Sequence, residues 1–261
     1  MELIIKLMRF RGNVLPTNYQ YALSSWIYKV ISRADQDHST FLHERGFAFD
    51  GKRFKMFTFS QLDVRPYKIL GNEIQLLGNE VSLNIRFHVD SSMENFIRGL
   101  FMHQHCGLGN KYAQTDFQVI GVETKPRFVF NTTMRYECLS PIIVSAMRDD
   151  HSAAYLGPDD PAFGPVFIQN LIRKQAALAL HNDATEPATI QNIMSFRLLN
   201  TPRKKGITIK EGTEQETKVI GYLFNFELTA SPELQETGYY AGFGEKNSIG
   251  FGCCGVRSTN N

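Results

Sequence analysis

The hydrophobic period of this chain switches between two residues and about 3.6, and the order of those switches restricts the possible folds more than any other feature. Leu3, Ile5 and Leu7 share one face of an opening strand. Pro16 and Asn18 then introduce a helix carrying Leu23, Ile27, Val30 and Ile31 at i, i+4, i+7 and i+8. FKMFTFSQL is extended, and turns at Gly71-Asn72 and Gly78-Asn79 lead into VSLNIRFHV, where Val81, Leu83, Ile85, Phe87 and Val89 alternate with Ser82, Asn84, Arg86 and His88. Ser91 and Glu94 have capping-box spacing, which predicts a helix with Met93, Phe96, Ile97, Leu100 and Phe101 on one face before the strand DFQVIGVE. The first half therefore spells β-α-β-β-α-β.

The second half repeats the order. RFVFNTTMRYECLSPIIV is extended, GPVFIQNLIRKQAALAL is helical with Phe167, Ile168, Leu171 and Ile172 on one side, and IMSFRLL is a strand. ITIKEGTEQETKVIGYLFNFEL predicts a strand pair in which Tyr222, Phe224, Phe226 and Leu228 alternate with Leu223, Asn225 and Glu227. A short helix at SPELQETG and a last strand near IGFGCCGV complete it. The expected class is α+β, two tandem ferredoxin-like (βαββαβ) domains spanning 1–124 and 125–261 and joined near Glu123 to Arg127, with one irregular mixed domain as the competing reading.

A chain of 261 residues has room for one to two domains, and 43% hydrophobic with 21% charged residues excludes disordered and collagenous classes. No apolar run approaches the roughly 18–20 residues of a membrane span, and MELIIKLMRFRGN is charged too early for a secretory segment, so a cytoplasmic protein with no membrane partner is expected. Four cysteines, Cys106, Cys138, Cys253 and Cys254, form no CxxC pair and are expected to be reduced. A net charge of +2 predicts no polyanion partner by itself, but residues 1–60 hold nine basic against five acidic side chains, Lys52 and Arg53 among them. A second basic cluster, Arg203, Lys204 and Lys205, is either a phosphate contact or a solvated loop.

Glycines are densest in GYYAGFGEKNSIGFG, residues 238–252. A phosphate-binding P-loop needs Ser or Thr after its lysine, whereas Lys246 is followed by Asn247, and the distal acidic residue of a dinucleotide fingerprint has no place here. Two readings remain: glycines that let the loop pack tightly, or an anion-binding concavity of backbone N–H groups with Lys246 inside it.

GFGEKNSIGFG closely resembles the C-terminal glycine-rich loop of the CRISPR-associated endoribonucleases that cut repeat transcripts into guide RNAs, a RAMP-superfamily group with tandem ferredoxin-like domains. LIIKLMRF, the helix ending WIYKVI, FLHERG, KMFTFSQL and LSPIIV resemble that family in the same order. The resemblance implies metal-independent cleavage, in which the ribose 2′-hydroxyl attacks the adjacent phosphorus and leaves a 2′,3′-cyclic phosphate and a 5′-hydroxyl. The protein must then supply in-line geometry, proton transfer and positive charge. It also implies His43 as general acid or base, Tyr28 to orient the ribose and Lys55 to stabilise the transition state. Lys52, Arg53, Arg203, Lys204, Lys205, Gly242, Gly244, Lys246, Asn247, Ser248, Gly250 and Gly252 are the expected RNA-binding residues.

On the wheel Tyr28 lies about 140° from Leu23, predicting a side chain off the apolar stripe, and Lys55 should point opposite to Phe54 and Met56 on its strand. His38 competes with His43, and Lys52 or Arg53 with Lys55. His103-x-His105-Cys106 lacks a distant ligand pair and is expected to be structural, so no metal and no cofactor are predicted. CRISPR repeat RNA is the expected partner, followed by a guide-RNA effector complex or a second copy of the chain. The rival function is repeat-RNA binding without cutting.

Overall fold

A computed structural model describes residues 1–110, 113–149, 152–182, 194–209 and 214–257. Its first half contains β1 (Glu2–Arg11), α1 (Gln20–Ala34), α2 (Gln36–Thr40), β2 (Phe57–Phe59), β3 (Glu80–Phe87), α3 (Asp90–Met102), β4 (His105–Gly109) and β5 (Gln114–Lys125). The antiparallel sheet has the order β2-β3-β1-β5-β4. β4 is an extra edge strand on a ferredoxin-like sheet. Leu3, Ile5 and Leu7 of β1 are fully buried with Leu83 and Ile85 of β3, against Leu23, Ile27, Val30 and Ile31 of α1. Gly99 lets α3 close on α1, since a Cβ there would stand 1.8 Å from the Val30 carbonyl oxygen.

The second half contains β6 (Thr133–Cys138), α4 (Phe163–His181), β7 (Ser195–Leu198), β8 (Arg203–Ile209), β9 (Thr217–Leu223), β10 (Asn225–Thr229), α5 (Pro232–Ala241) and β11 (Cys254–Val256). Its sheet order, β7-β10-β6-β11, is that of the first half without the edge strand. Together the halves form the tandem ferredoxin-like α+β architecture. Phe163, Phe167 and Leu171 of α4 bury against Phe224, Phe226 and Tyr136.

Two sequence expectations change. Ser91 and Glu94 make no capping box, because α3 already begins at Asp90, with Val89 in the cap position and no side-chain cap bond. The run from Tyr222 to Leu228 is two strands. It breaks at Phe224, so β9 pairs with β8 in a separate hairpin while β10 enters the sheet beside β6.

A buried ionic group ties the halves together. The Arg86 guanidinium, 2% exposed, donates to Glu2 Oε1 at 3.1 Å and to the Cys254 carbonyl, and lies 3.7 Å from the Tyr239 ring centroid. Tyr239 Oη in turn donates to Glu2 Oε2 at 2.7 Å. Thr58 Oγ1 adds a hydrogen bond of 3.0 Å to the Phe251 carbonyl across the same junction.

Candidate active site

α1, α2 and the turn after them place the first group of side chains. Phe41–Arg45 is a π-helical turn, closed by the Gly46 N–H donating to the Phe41 carbonyl at 2.7 Å. Such wide turns cluster at functional sites because they push a residue out of helical register. Here His43 is pushed to the surface. Gly46 has φ +62°, and a Cβ there would meet the Phe54 carbonyl oxygen at 2.5 Å and Lys55 Nζ at 3.3 Å, so glycine lets this turn lie against the following segment.

Phe47–Phe49 and Lys52–Phe54 form a hairpin around Asp50-Gly51, both at positive φ, as the tight turn of such hairpins requires. Lys55 follows it, in the bend before β2, and not within a continuous strand as alternation predicts. The cause is Met56, which buries its side chain at a φ of +56° and breaks the extended run. Lys55 Nζ donates to the His43 carbonyl at 2.7 Å, and burial first, then the Arg53 guanidinium, push its pKa down.

Tyr28 is half-buried, although it lies off the apolar stripe of α1. That side of the helix is covered by the His43 turn and by the glycine-rich segment. The Tyr28 ring meets His43 edge-on, with centroids 5.3 Å apart and planes at 85°, and Phe57 at 5.5 Å. Burial raises its hydroxyl to about 12, opposed by a hydrogen bond with the Ser248 side chain. The group is therefore a neutral hydrogen-bond donor at physiological pH.

The glycine-rich segment of the other half completes the site. Lys174, 1% exposed on α4, donates from Nζ to the Gly242 and Gly244 carbonyls and to Asn247 Oδ1, the last two at 2.7 Å. Asn247 Nδ2 donates to the Phe243 and Phe251 carbonyls at 3.0 Å. Gly244 and Gly252 take φ +67° and +75°, and a Cβ on them would lie 2.3 Å from the Ile143 and 1.9 Å from the Phe243 carbonyl oxygens. Gly242 and Gly250 are also buried at positive φ. These four glycines and Asn247 shape the loop from within. Its outward side chains are Lys246, exposed, and Ser248, whose carbonyl accepts from Ser24 Oγ of α1 at 2.7 Å.

The resulting cleft, about 650 Å³, brings Tyr28, His43 and Lys55 of one half together with Lys246 and Ser248 of the other, above Ser24 and Ser25. Ile209 and Thr217, at the far end of the β8–β9 hairpin, form part of its wall. Lys52 and Arg53 line an adjoining groove. Arg203, Lys204 and Lys205 are exposed at the opposite end of β8, with Arg203 about 20 Å up the strand from Ile209 at 3.3 Å per residue, so the fold does not bring them to the cleft. His38 points elsewhere: its Nε2 lies 2.8 Å from Ser92 Oγ, and burial lowers its pKa. The serines of α1 and Lys174 escape the sequence reading. Lys174 had a signal, a cation at helical spacing in the stripe Phe163, Phe167, Leu171, Leu178.

Imidazole, phenol, hydroxyl and ammonium groups facing one open cleft can move protons and hold an anion. Among the described residues no group of three or more metal-ligating side chains converges, and no helix is long and apolar enough to cross a membrane.

The family model for CRISPR-associated protein Cas6, N-terminal, matches residues 14–122, and that for CRISPR associated protein Cas6, C-terminal, matches 123–256. The CRISPR-associated endoribonuclease Cas6 1 of Methanocaldococcus jannaschii is 28% identical over 256 residues, covering 97% of this chain and 91% of its own. The solved structure of a Cas6-related protein of Pyrococcus furiosus superposes with a TM-score of 0.82 at 22% identity, over 100% of this chain and 99% of its own. A RAMP protein binding different RNA substrates gives a TM-score of 0.80 at 22% identity, covering 99% and 100%. The cleft thus lies where the two matched segments meet, and the chain belongs to the Cas6 family of CRISPR-associated proteins.

Proposed function

We propose that this Cas6 protein is an endoribonuclease that cuts CRISPR repeat RNA in the cleft between its halves, without a metal, using the substrate's own 2′-hydroxyl. Endoribonuclease action on repeat RNA follows the family and its named relatives. The reaction path is our reading. The 2′-oxygen attacks phosphorus, the P–O5′ bond breaks, one proton leaves the 2′-oxygen and one reaches the 5′-oxygen. His43 moves one of those two protons, Tyr28 holds the ribose through its neutral hydroxyl, and the Lys55 and Lys246 ammonium groups face the charge that builds on the phosphate.

One observation carries the reading. The exposed His43 shares a single cleft with Lys246, which lies 203 positions further along the chain and is delivered by a buried, pinned loop. The glycines contribute by permitting that loop, and Lys52 and Arg53 extend the positive surface. In this reading residues 1–124 supply the reacting groups and 125–261 the clamp, the reaction runs in the cytoplasm, and a guide-RNA effector complex or a second copy of the chain is met after cutting.

The test is incubation of the protein with repeat RNA in chelator, followed by end-group analysis. Cleavage to 2′,3′-cyclic phosphate and 5′-hydroxyl ends is expected, and a 2′-deoxy sugar upstream of the cut should abolish it. Cutting of the deoxy substrate would overturn the nucleophile, and binding without cutting would make the chain a repeat-RNA binder.

A further inference from the structure

The cleft does not end at Lys246. A second groove of about 290 Å³ shares Lys55, Lys246 and Ser248 with it, so the two form one continuous channel past the same ammonium groups. One wall is the hairpin that carries Lys52 and Arg53, and the other is α4, which contributes Asn170 and Arg173. Arg173 Nε donates to Asp50 Oδ2 at 2.9 Å, so an ion pair spans the hairpin and the helix. Arg53 Nη1 donates to the Glu44 carbonyl at 3.1 Å, which holds the hairpin to the His43 turn.

The groove is polarised. Lys52, Arg53 and Lys246 are exposed cations on its rim. Glu245 also lines it and accepts from the Ser145 N–H at 3.2 Å and from Ser145 Oγ at 2.9–3.0 Å, so a phosphate is repelled from that corner and drawn to the cationic rim. On the α4 wall Asn170 Oδ1 is buried without a hydrogen-bond partner. Buried acceptors are rarely left so, because an unpaired one loses its hydration without a replacement. A cationic rim on one side and, in the opposite wall, a buried unpartnered amide acceptor that a turn of the Asn170 side chain would bring into the groove match the two ends of a nucleotide.

We infer that this groove is a nucleotide subsite beside the scissile phosphate. It seats the phosphate of the adjoining nucleotide against Lys52, Arg53 and Lys246 and turns the base toward Asn170, whose side chain rotates to bring its unpartnered Oδ1 out to accept from an exocyclic amino group on the base edge. Asn170 is then a specificity-determining residue that favours the amino-bearing bases over uracil at one position next to the cut. The inference rests on the reading of the first cleft as the place of scission, since the channel gives the subsite its position. A base without the amine leaves that acceptor unpaired, which discriminates by about 1–3 kcal/mol, or about 5- to 150-fold.

The experiment uses the full chain and a panel of repeat RNAs carrying each of the four bases at each position flanking the cut, with cleavage rates measured in single turnover. Wild type is expected to prefer amino-bearing bases at one flanking position by about tenfold. Asn170→Leu should flatten that preference and leave the other position unchanged, while Asn170→Asp, which keeps an acceptor, should retain it. With wild-type protein, a purine analogue lacking the exocyclic amine at that position should lose the same factor, a measurement that needs no variant to fold. Unchanged base preference in Asn170→Leu, or no response to the analogue, overturns the subsite and leaves the cutting reading standing. If wild type does not cut at all, that reading falls, and equilibrium binding of the same panel decides the subsite by the same two criteria.

Discussion

Each half of the molecule returns from its second helix to its last sheet strand, and the two returns are built in opposite ways. In the first half the return carries the extra edge strand β4 (His105–Gly109), and the preceding Phe101 and Met102 stand 80% and 67% exposed. In the second half residues 242–253 are mostly buried, bent by glycines at positive φ, and fixed from below by Lys174. The topology is the same on both sides, as the matching strand orders show. What differs is the sequence placed in one slot of the fold. Polar and apolar residues there give an open edge, whereas glycines with a buried cation give a rigid arm that crosses to the other half. The candidate cleft is therefore furnished largely by connections, with α1 as its floor, and the repeated fold sets where those connections emerge.

The largest effect should come from the residue that the second return serves. His43→Ala should lower the cleavage rate by about 10²–10⁴ while RNA affinity and melting temperature hold. If His43 delivers the proton to the 5′-oxygen, an RNA with a 5′-bridging sulfur, whose leaving group needs no proton, should recover much of that loss. Next comes the arm itself. Lys174→Met leaves the acceptors of Gly242, Gly244 and Asn247 without their donor, so cleavage and binding should fall together and the melting temperature should drop by several degrees, as losing buried hydrogen-bond partners requires.

Lys174 also has a pH signature. Burial lowers its pKa to about 7, against about 10.4 for an unfolded lysine, so the unfolded chain binds the extra proton between those values. Wild-type stability should rise relative to Lys174→Met as pH increases through that window. Equal pH slopes for the two proteins would show that this lysine is not buried as described. A smaller effect is expected at the exposed tip of the arm, where Lys246→Ala should weaken binding across all sequences and reduce the salt slope by about one phosphate contact. The smallest belongs to the other return. His103→Ala and His105→Ala, which line a separate surface pocket, should change cutting less than about twofold, within the range of ordinary surface substitutions.

The element order of both halves can be read from hydrophobic period, because Leu3, Ile5, Leu7, Leu83 and Ile85 face one core and the alternation survives intact. Departures arise where tertiary packing outweighs a local pattern. Ser91 carries capping spacing, but the helix is already committed at Asp90. A strand-like run around Lys55 is broken where Met56, buried, takes a left-handed backbone. Period alone does not show that the polar side of α1 will be roofed by a loop from the other half, and this is why Tyr28 is half-buried. The glycine-rich segment was conspicuous, yet its inward and outward residues differ in kind: Asn247 turns in to staple carbonyls, whereas Lys246 turns out. The basic run at Arg203 looks equal to Lys52 and Arg53 in charge, and only the hairpin's direction separates them.

The ion pair buried at the junction bears on turnover. Pulling the halves apart would leave the Arg86–Glu2 pair on one side but strip it of the Cys254 carbonyl and of the Tyr239 ring and hydroxyl, and would open to water the apolar faces packed around them. Breathing between the lobes is thus an unfavourable route for substrate to arrive or product to depart. On the proposed reading, RNA reaches the cleft from its open side with the halves kept together, so the junction sets how wide a strand the site can take.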